Sequence, residues 1–196
     1  FGSSMFPADR IVEAQWVADR RGHLPFRCEQ SSYSIFGRDI ERFVLPACQR
    51  YGMGMIVWSP LDGGFLSGRY RSAEDLDTDN RISRFSRHSR GSFDPHEALF
   101  QRKLALIGEL AKLADEAGIP MAQLAVAFTI EHPAVTASII GPRTMEHLES
   151  LLAAGDLKLA PETLDAIDRL VPPGSSVNPI VDMPNGVASA AIRRPR

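Results

Sequence analysis

The stretch "VWSPLDGGFLSGRY", residues 57–70, ends an apolar run with an aromatic residue, a Ser-Pro pair and two glycines. The residues that lead into it, "MGMIVWS" (53–59), have the composition of a buried β-strand. A plain turn needs only Gly or Pro. Here Trp58 adds a flat ring, and Gly63 and Gly64 allow the backbone to approach a ligand closely. The stretch therefore predicts a strand end that holds a flat ring beside an anionic group.

Strands and helices alternate outward from this stretch. Two more strands are predicted, at 24–30 and 134–142, and residues 1–4 resemble the end of a fourth. Apolar periodicity predicts helices at 8–21, 39–51 (with Asp39 as N-cap and Pro46 as an interruption), 97–117, 119–132, 143–155 and 160–171. Such alternation is typical of an α/β fold with parallel strands and crossover helices.

The number of units limits the architecture. Three or four βα units cannot close an eight-stranded barrel, which typically needs about 250 residues. From the residues alone, a small open sheet and part of a larger barrel both remain possible.

Residues 1–171 are predicted to form one domain and residues 172–196 an irregular, loosely attached tail. Residues 71–96, rich in Arg, Ser and Asp, predict a long loop that we expect to cover the ligand as a mobile lid.

Composition excludes several classes of function. The chain has 196 residues, 44% of them hydrophobic, and a net charge of −2, which gives no electrostatic reason to expect nucleic acid or an anionic membrane. It contains no run of 18 apolar residues and no signal-peptide pattern. Two cysteines form no disulfide framework and no zinc motif, so we expect no metal and a reducing cytoplasm. The first residues, "FGSSMF", read as though the chain starts inside a fold.

Four predicted strand ends carry small or polar residues, at 2–6, 29–34, 58–68 and 139–150. In parallel α/β folds, ligands bind at the carboxyl ends of the strands. In the last of these segments, "GPRTMEH" (141–147), an arginine lies at a predicted helix N-terminus, where backbone amides already favour an anion. A dinucleotide would match these parts with its ring, its pyrophosphate and its terminal phosphate.

Each feature also has an ordinary structural interpretation. Trp58 alone is commonly a core residue, and Gly63 with Gly64 is commonly a turn. Arg143 could be a solvated residue of a first helical turn, although a cation there is mildly unfavourable. Gln30 could simply satisfy backbone groups. The sequence-level hypothesis rests on the combination of these residues and not on any one of them.

Four segments together resemble the aldo-keto reductase family of NADPH-dependent carbonyl reductases. "WSPLDGGFLSGRY" (58–70) and "SIIGPRTMEHLES" (138–150) resemble the family segments after the seventh and eighth barrel strands. "GSSMFPADRIVEAQ" (2–15) and "FRCEQSSYSIFGR" (26–38) resemble those at the fifth and sixth. The sugar-type and potassium-channel β-subunit branches are the most similar. The resemblance implies a (β/α)8 TIM barrel, of which this chain carries strands 5 to 8.

The resemblance also implies a set of NADP-binding residues. It assigns the nicotinamide carboxamide to Ser4 and Gln30, the stacked ring to Trp58, the pyrophosphate to Ser59, Pro60, Leu61, Gly63 and Arg69, the 2′-phosphate to Gly141 and Arg143, and the adenine to His147 and Ser150. The last two positions depart from the family's usual residues. We therefore expect weaker adenine contacts than in typical members.

The family's catalytic Asp, Tyr, Lys and His lie on its first four strands, and the resemblance places none of them in this chain. Lys103, for example, lies in a helical pattern and not at a strand end. The sequence thus predicts an NADP-dependent oxidoreductase acting on small aldehydes or ketones, with this chain supplying the cofactor-binding part. Two alternatives stay open: a non-catalytic NADPH-binding regulatory subunit, and a split half-barrel that pairs with another chain or with a second copy of itself.

Overall fold

Four parallel strands form one sheet in the computed structural model, which describes residues 1–70 and 98–177. In chain order the strands are β1 (Gly2–Ser4), β2 (Cys28–Ser32), β3 (Gly54–Trp58) and β4 (Ala137–Ser138). Each strand pairs with the next one along the chain. The predicted parallel order is confirmed, including the strand at the first residues.

Helices connect successive strands, as parallel pairing requires. They are α1 (Ala8–Arg21), α2 (Val44–Arg50), α3 (Ala98–Glu116), α4 (Met121–Glu131), α5 (Met145–Ala153) and α6 (Pro161–Leu170). Short 3₁₀ helices occur at Asp39–Glu41, Asp62–Ser67 and Ala154–Asp156. The α/β class and the strand order are those expected of part of a (β/α)8 barrel.

The two faces of the sheet differ in their exposure. Glu29 and Ser31 of β2, and Met55 and Val57 of β3, are buried beneath the helices. The alternate residues of both strands are only half-buried. Parallel sheets are usually covered on both faces. Within the described residues, the helices therefore cover one face and leave the other partly open.

Helix α4 lies in the centre of the core. Its residues from Leu124 to Thr129 are all buried, so it is apolar around most of its circumference. It contacts α3, α5, β4 and the 3₁₀ helix after β3. This packing fixes the positions of the chain segments that follow β3 and β4.

Several element boundaries differ from the sequence prediction. Strand β2 begins at Cys28 and not at residue 24, because Pro25 lacks the N–H that a ladder needs. The helix predicted at 39–51 is divided, and Asp39 does not cap it. Pro46 lies in the first turn of α2, where a missing N–H costs little. The predicted strand at 134–142 contributes only two residues, although Thr136 and Ile139 extend its backbone pairing to β3.

The segment after α6 is packed against the core up to residue 177. The amide of Val177 donates a 2.7 Å hydrogen bond to the carbonyl of Phe36, and the amide of Arg38 donates a 2.9 Å bond to the carbonyl of Ser175. Val177 is buried. The prediction of a loosely attached tail is therefore wrong for residues 172–177. The rest of that tail and the predicted lid at 71–96 lie outside the described residues. No helix in the described ranges is both long enough and apolar enough to cross a bilayer.

Candidate functional site at the strand ends

Two adjacent cavities lie at the carboxyl ends of β3 and β4. The smaller, of about 290 Å³, includes Trp58, and the larger, of about 510 Å³, includes Arg143. They share five lining residues, Leu61, Gly63, Gly64, Gly141 and Leu151. We refer to the two together as the groove. Cavities of this size are typical of small-molecule sites.

The turn after β3 forms one wall of the groove through an unusual backbone. Ser59 has φ +60° and Asp62 has φ +47°, values that non-glycine residues seldom adopt. Gly63 and Gly64 follow with φ +69° and +114°. The amide of Asp62 donates a 2.9 Å hydrogen bond to the carbonyl of Ser59, and the amide of Gly64 donates to Leu61 at the same distance. The chain thus curls tightly and brings Leu61 and the backbone of Gly63 and Gly64 to the cavity wall.

The segment after β4 forms the opposite wall. Gly141 has nothing within 4 Å of the position that a Cβ would occupy, so its surface is open to the groove. Arg143 is exposed and lies two residues before α5 begins, not in its first turn as the sequence suggested. Thr144 is the N-cap, and its hydroxyl accepts a 3.2 Å hydrogen bond from the amide of His147. One first-turn amide is therefore already occupied by the cap.

Ser150, one of the two residues predicted for adenine, is bound to helix α4. The side-chain amide of Gln123 donates a 2.9 Å hydrogen bond to the backbone carbonyl of Ser150 and contacts its hydroxyl at 3.3 Å. Ser150 and His147 both line the larger cavity. Gln123 was missed at the sequence level, where nothing in its helical pattern distinguished it.

Ten of the twelve predicted residues line the groove, and two do not. Ser4 and Gln30 lie outside both cavities. They are directly paired in the register of β1 and β2, and Gln30 is paired with Ile56 of β3. Because registered neighbours share a face and side chains alternate, Trp58 lies on that same half-open face. The structure therefore places Ser4, Gln30 and Trp58 on one side of the sheet.

A buried carboxylate, which the sequence analysis did not single out, fixes the end of β1. Glu29 is fully buried and accepts hydrogen bonds from the Ser3 and Ser31 hydroxyls at 2.5 and 2.9 Å, and from the amide of Phe6 at 3.1 Å. Between Ser4 and Phe6, Met5 has φ +58°. The three bonds thus satisfy the buried charge and hold the strained turn that follows Ser4.

A second polar cluster lies on the helix-covered side, away from the groove. The Tyr33 hydroxyl donates a 2.6 Å hydrogen bond to Glu41, which also accepts from Arg38 at 2.9 Å. Burial, followed by the charge of Glu41, raises the pKa of Tyr33 far above its ordinary value. Burial lowers the pKa of the neighbouring His132. The burial of Tyr33 and its bond to Glu41 favour the protonated phenol.

The donor set of the groove suits a dinucleotide. A half-buried indole, a tight turn with two glycines, and two exposed arginines, Arg69 and Arg143, match a flat ring, a pyrophosphate and a phosphate. No group of three or more His, Cys, Asp or Glu side chains that could hold a metal occurs in residues 1–70 and 98–177.

Comparison with known proteins identifies the family to which this chain belongs. Residues 1–172 match the family model described as Aldo/keto reductase family. The chain is 34% identical over 172 residues to the uncharacterized oxidoreductase YrpG of Bacillus subtilis, covering 87% of this chain and 48% of that protein. It is 30% identical to a putative voltage-gated potassium channel subunit beta of Schizosaccharomyces pombe (87% and 49% covered) and 30% identical to versiconal hemiacetal acetate reductase of Aspergillus parasiticus (86% and 47%). The chain spans about half the length of the curated relatives it matches.

Proposed function

Because the chain belongs to the aldo/keto reductase family, we propose that the protein is an NADP-dependent oxidoreductase that reduces small aldehydes or ketones by hydride transfer. The observation that supports this most is the groove itself. The turn after β3 and the segment after β4, separated by about 80 residues of chain, line one continuous depression. It includes ten residues that the sequence alone suggested for NADP.

The residues of this chain would bind and orient the cofactor. Trp58 offers its ring as a stacking surface, with Ser4 and Gln30 on the same sheet face for the carboxamide. Gly63 and Gly64 let the backbone of the turn at residues 59–64 approach the pyrophosphate closely, and Arg69 adds a positive charge. Gly141 leaves room beside Arg143 for the 2′-phosphate. NADPH, when bound, supplies the hydride.

We propose further that this chain alone lacks the proton donor for carbonyl reduction. Of its three tyrosines, Tyr33 and Tyr70 are almost fully buried and Tyr51 lies at the end of α2. None of them lines the cavity that contains Trp58. A positioned acid commonly contributes about 10²–10⁴-fold to such a rate.

The test compares the complete gene product that carries this chain with the 196-residue chain by itself. Both are titrated with NADPH, following the fluorescence of Trp58, and both are assayed for NADPH oxidation with 4-nitrobenzaldehyde. We expect both to bind NADPH and only the complete product to turn over, near the range of about 1 s⁻¹ or more that is usual for enzymes. Absence of NADPH binding in both would overturn the proposal.

A regulatory function is the second candidate, because several relatives are named as potassium channel β subunits. In that case the complete product would bind NADPH tightly but reduce none of a panel of aldehydes. The same two measurements therefore separate the two functions.

The half-open sheet face supports a further partner. We propose that a complementing half-barrel, or a second copy of the chain, covers the face that carries Ser4, Gln30 and Trp58. Light scattering of the isolated chain tests for self-association.

The unpaired cysteines, Cys28 and Cys48, suit the reducing, cytoplasmic setting that we propose.

A further inference from the structure

Lys103 occupies a core position of helix α3. The buried stripe of this helix consists of Phe100, Lys103, Ile107, Leu110 and Ala114, which follow helical spacing. Lys103 is only 2% exposed. Lysine is almost never found so deeply buried unless it is paired, because removing an ammonium from water is costly.

The ammonium of Lys103 reaches the turn after β3. Its Nζ lies 2.8 Å from Oδ2 of Asp62, and this ion pair is largely withdrawn from solvent, with side-chain exposures of 3% and 12%. The same Nζ lies 4.5 Å from the centre of the Phe65 ring, at cation–π distance. The lysine thus contacts two residues of the kinked segment Asp62–Ser67.

Asp62 lies between two residues that line the groove, so its backbone conformation affects the shape of the groove wall. Its neighbours Leu61 and Gly63 line both cavities, whereas Asp62 lines neither. Its φ of +47° is part of the curl that brings Leu61, Gly63 and Gly64 to the groove. The carboxylate, turned to Lys103, therefore lies behind the turn.

We propose that Lys103 is a positioning residue for the dinucleotide: through Asp62 it holds the turn at residues 61–64 in its binding conformation. This inference rests on the proposed function, since it assigns a role in NADP binding. Stability alone does not account for the lysine. Replacing a buried ion pair with apolar residues is often neutral or stabilising, so core stability by itself does not require a lysine at this position.

The test uses Lys103→Met, the double variant Lys103→Met/Asp62→Asn, and the control Ile107→Ala in the complete gene product. Ile107 is fully buried on the same helix, so its truncation loosens α3 without removing the ion pair. The double variant removes both charges and keeps at position 62 a residue that tolerates positive φ. For each protein we measure the Kd of NADPH, the Tm, and hydrogen exchange of the peptide at residues 58–67.

Lys103→Met is expected to weaken NADPH binding by roughly ten- to a hundredfold, which corresponds to about 1.4–2.8 kcal/mol of binding free energy. Exchange at residues 58–67 should accelerate. The double variant should recover Tm but not affinity, and it replaces the single variant if that one does not fold. Ile107→Ala should lower Tm and leave the Kd unchanged.

Three results would overturn the inference while leaving the proposed function intact. These are wild-type affinity in Lys103→Met, wild-type affinity in the stable double variant, and an equal loss of affinity in Ile107→Ala. Failure of the wild-type protein to bind NADPH would instead overturn the proposed function and this inference with it.

Discussion

Arg38 and Asp168 form an ion pair of 2.7 Å between residues that lie 130 positions apart in the chain. The same guanidinium contacts Glu41 at 2.9 Å and donates to the carbonyl of Val171 at 2.7 Å. Arg38 is buried, with 5% side-chain exposure, and the Glu41 side chain is 9% exposed, whereas that of Asp168 is 42% exposed. Arg38 thereby ties the segment after β2 to the end of α6.

Arg38→Met is expected to lower the free energy of unfolding by about 3–5 kcal/mol, because it removes the positive charge beside the Glu41 carboxylate and leaves it only neutral donors, the Tyr33 hydroxyl and the amide of Gly174. Asp168→Asn is the matched control on the same guanidinium. We expect it to cost less than about 1 kcal/mol, because that carboxylate is well solvated. Urea unfolding of both variants measures the difference. Equal losses would show that Glu41 gains little from Arg38.

Because of His132, the protein should lose stability as the solution becomes acidic. Burial lowers the pKa of this imidazole, so the folded state favours the neutral ring. Below the ordinary pKa of about 6.5, the unfolded chain binds a proton more readily. The contribution of His132 is therefore complete above that pH and declines as the pH falls below it.

His132→Asn should flatten this decline, and its neutral side chain can still accept a hydrogen bond from the amide of Ala134, as the imidazole Nδ1 does at 3.1 Å. His23, which is exposed, provides the control as His23→Asn. Urea midpoints between about pH 7.5 and 5 compare the three proteins, a range that spans the ordinary histidine pKa. If His132→Asn and the wild type decline in parallel, another group is responsible.

Two glycines of the groove should respond differently to alanine. Gly64 has φ +114°, so Gly64→Ala is expected to cost about 1–3 kcal/mol in backbone strain. The nearest atom to the added methyl group, Cε2 of Tyr70, is 3.8 Å away, so the cost comes from the backbone and not from a clash. Gly141→Ala meets open space and should leave Tm unchanged. Thermal unfolding of both variants tests this, and a stable Gly64→Ala would contradict it.

Gly141→Ala also provides a test of the groove. Its methyl group would project into the space proposed for the cofactor, so NADPH binding should weaken although the fold is intact. The combination of unchanged Tm and reduced affinity is the expected result. Unchanged affinity would move the 2′-phosphate away from Gly141.

Arg143→Ala should reduce affinity for NADPH by about 10–150-fold, since hydrogen bonds to charged groups contribute roughly 1.5–3 kcal/mol. Because NADH has no 2′-phosphate, the affinity for NADH should change little. Titration by Trp58 fluorescence, with Trp16 as a constant background, compares both cofactors. Arg102→Ala, an exposed arginine on α3, is the control. Equal weakening of NADPH and NADH would place Arg143 at the pyrophosphate or in a structural role.

Much of the fold follows from local sequence signals. Apolar periodicity and turn residues indicated the helices and strands, and their alternation indicated parallel order, because both signals depend on neighbouring residues. The strand-end segments also carried most of the groove, as "WSPLDGG" and "GPRTMEH" are contiguous stretches. The predicted element boundaries were less accurate where the backbone hydrogen bonding changes. Examples are Pro25, which has no N–H to donate, and the break in the predicted helix before Val44.

The sequence by itself determined the α/β class, the family resemblance and ten residues of one groove, since each depends on short-range pattern. Tertiary structure decided which polar residues meet across the chain. Lys103 had the spacing of an ordinary core position, and only packing of α3 against the turn brings it to Asp62. Glu29 and Gln123 are likewise assigned by partners on other elements. A buried polar group must find its partner in space, and the spacing of residues along one helix or strand does not specify that partner.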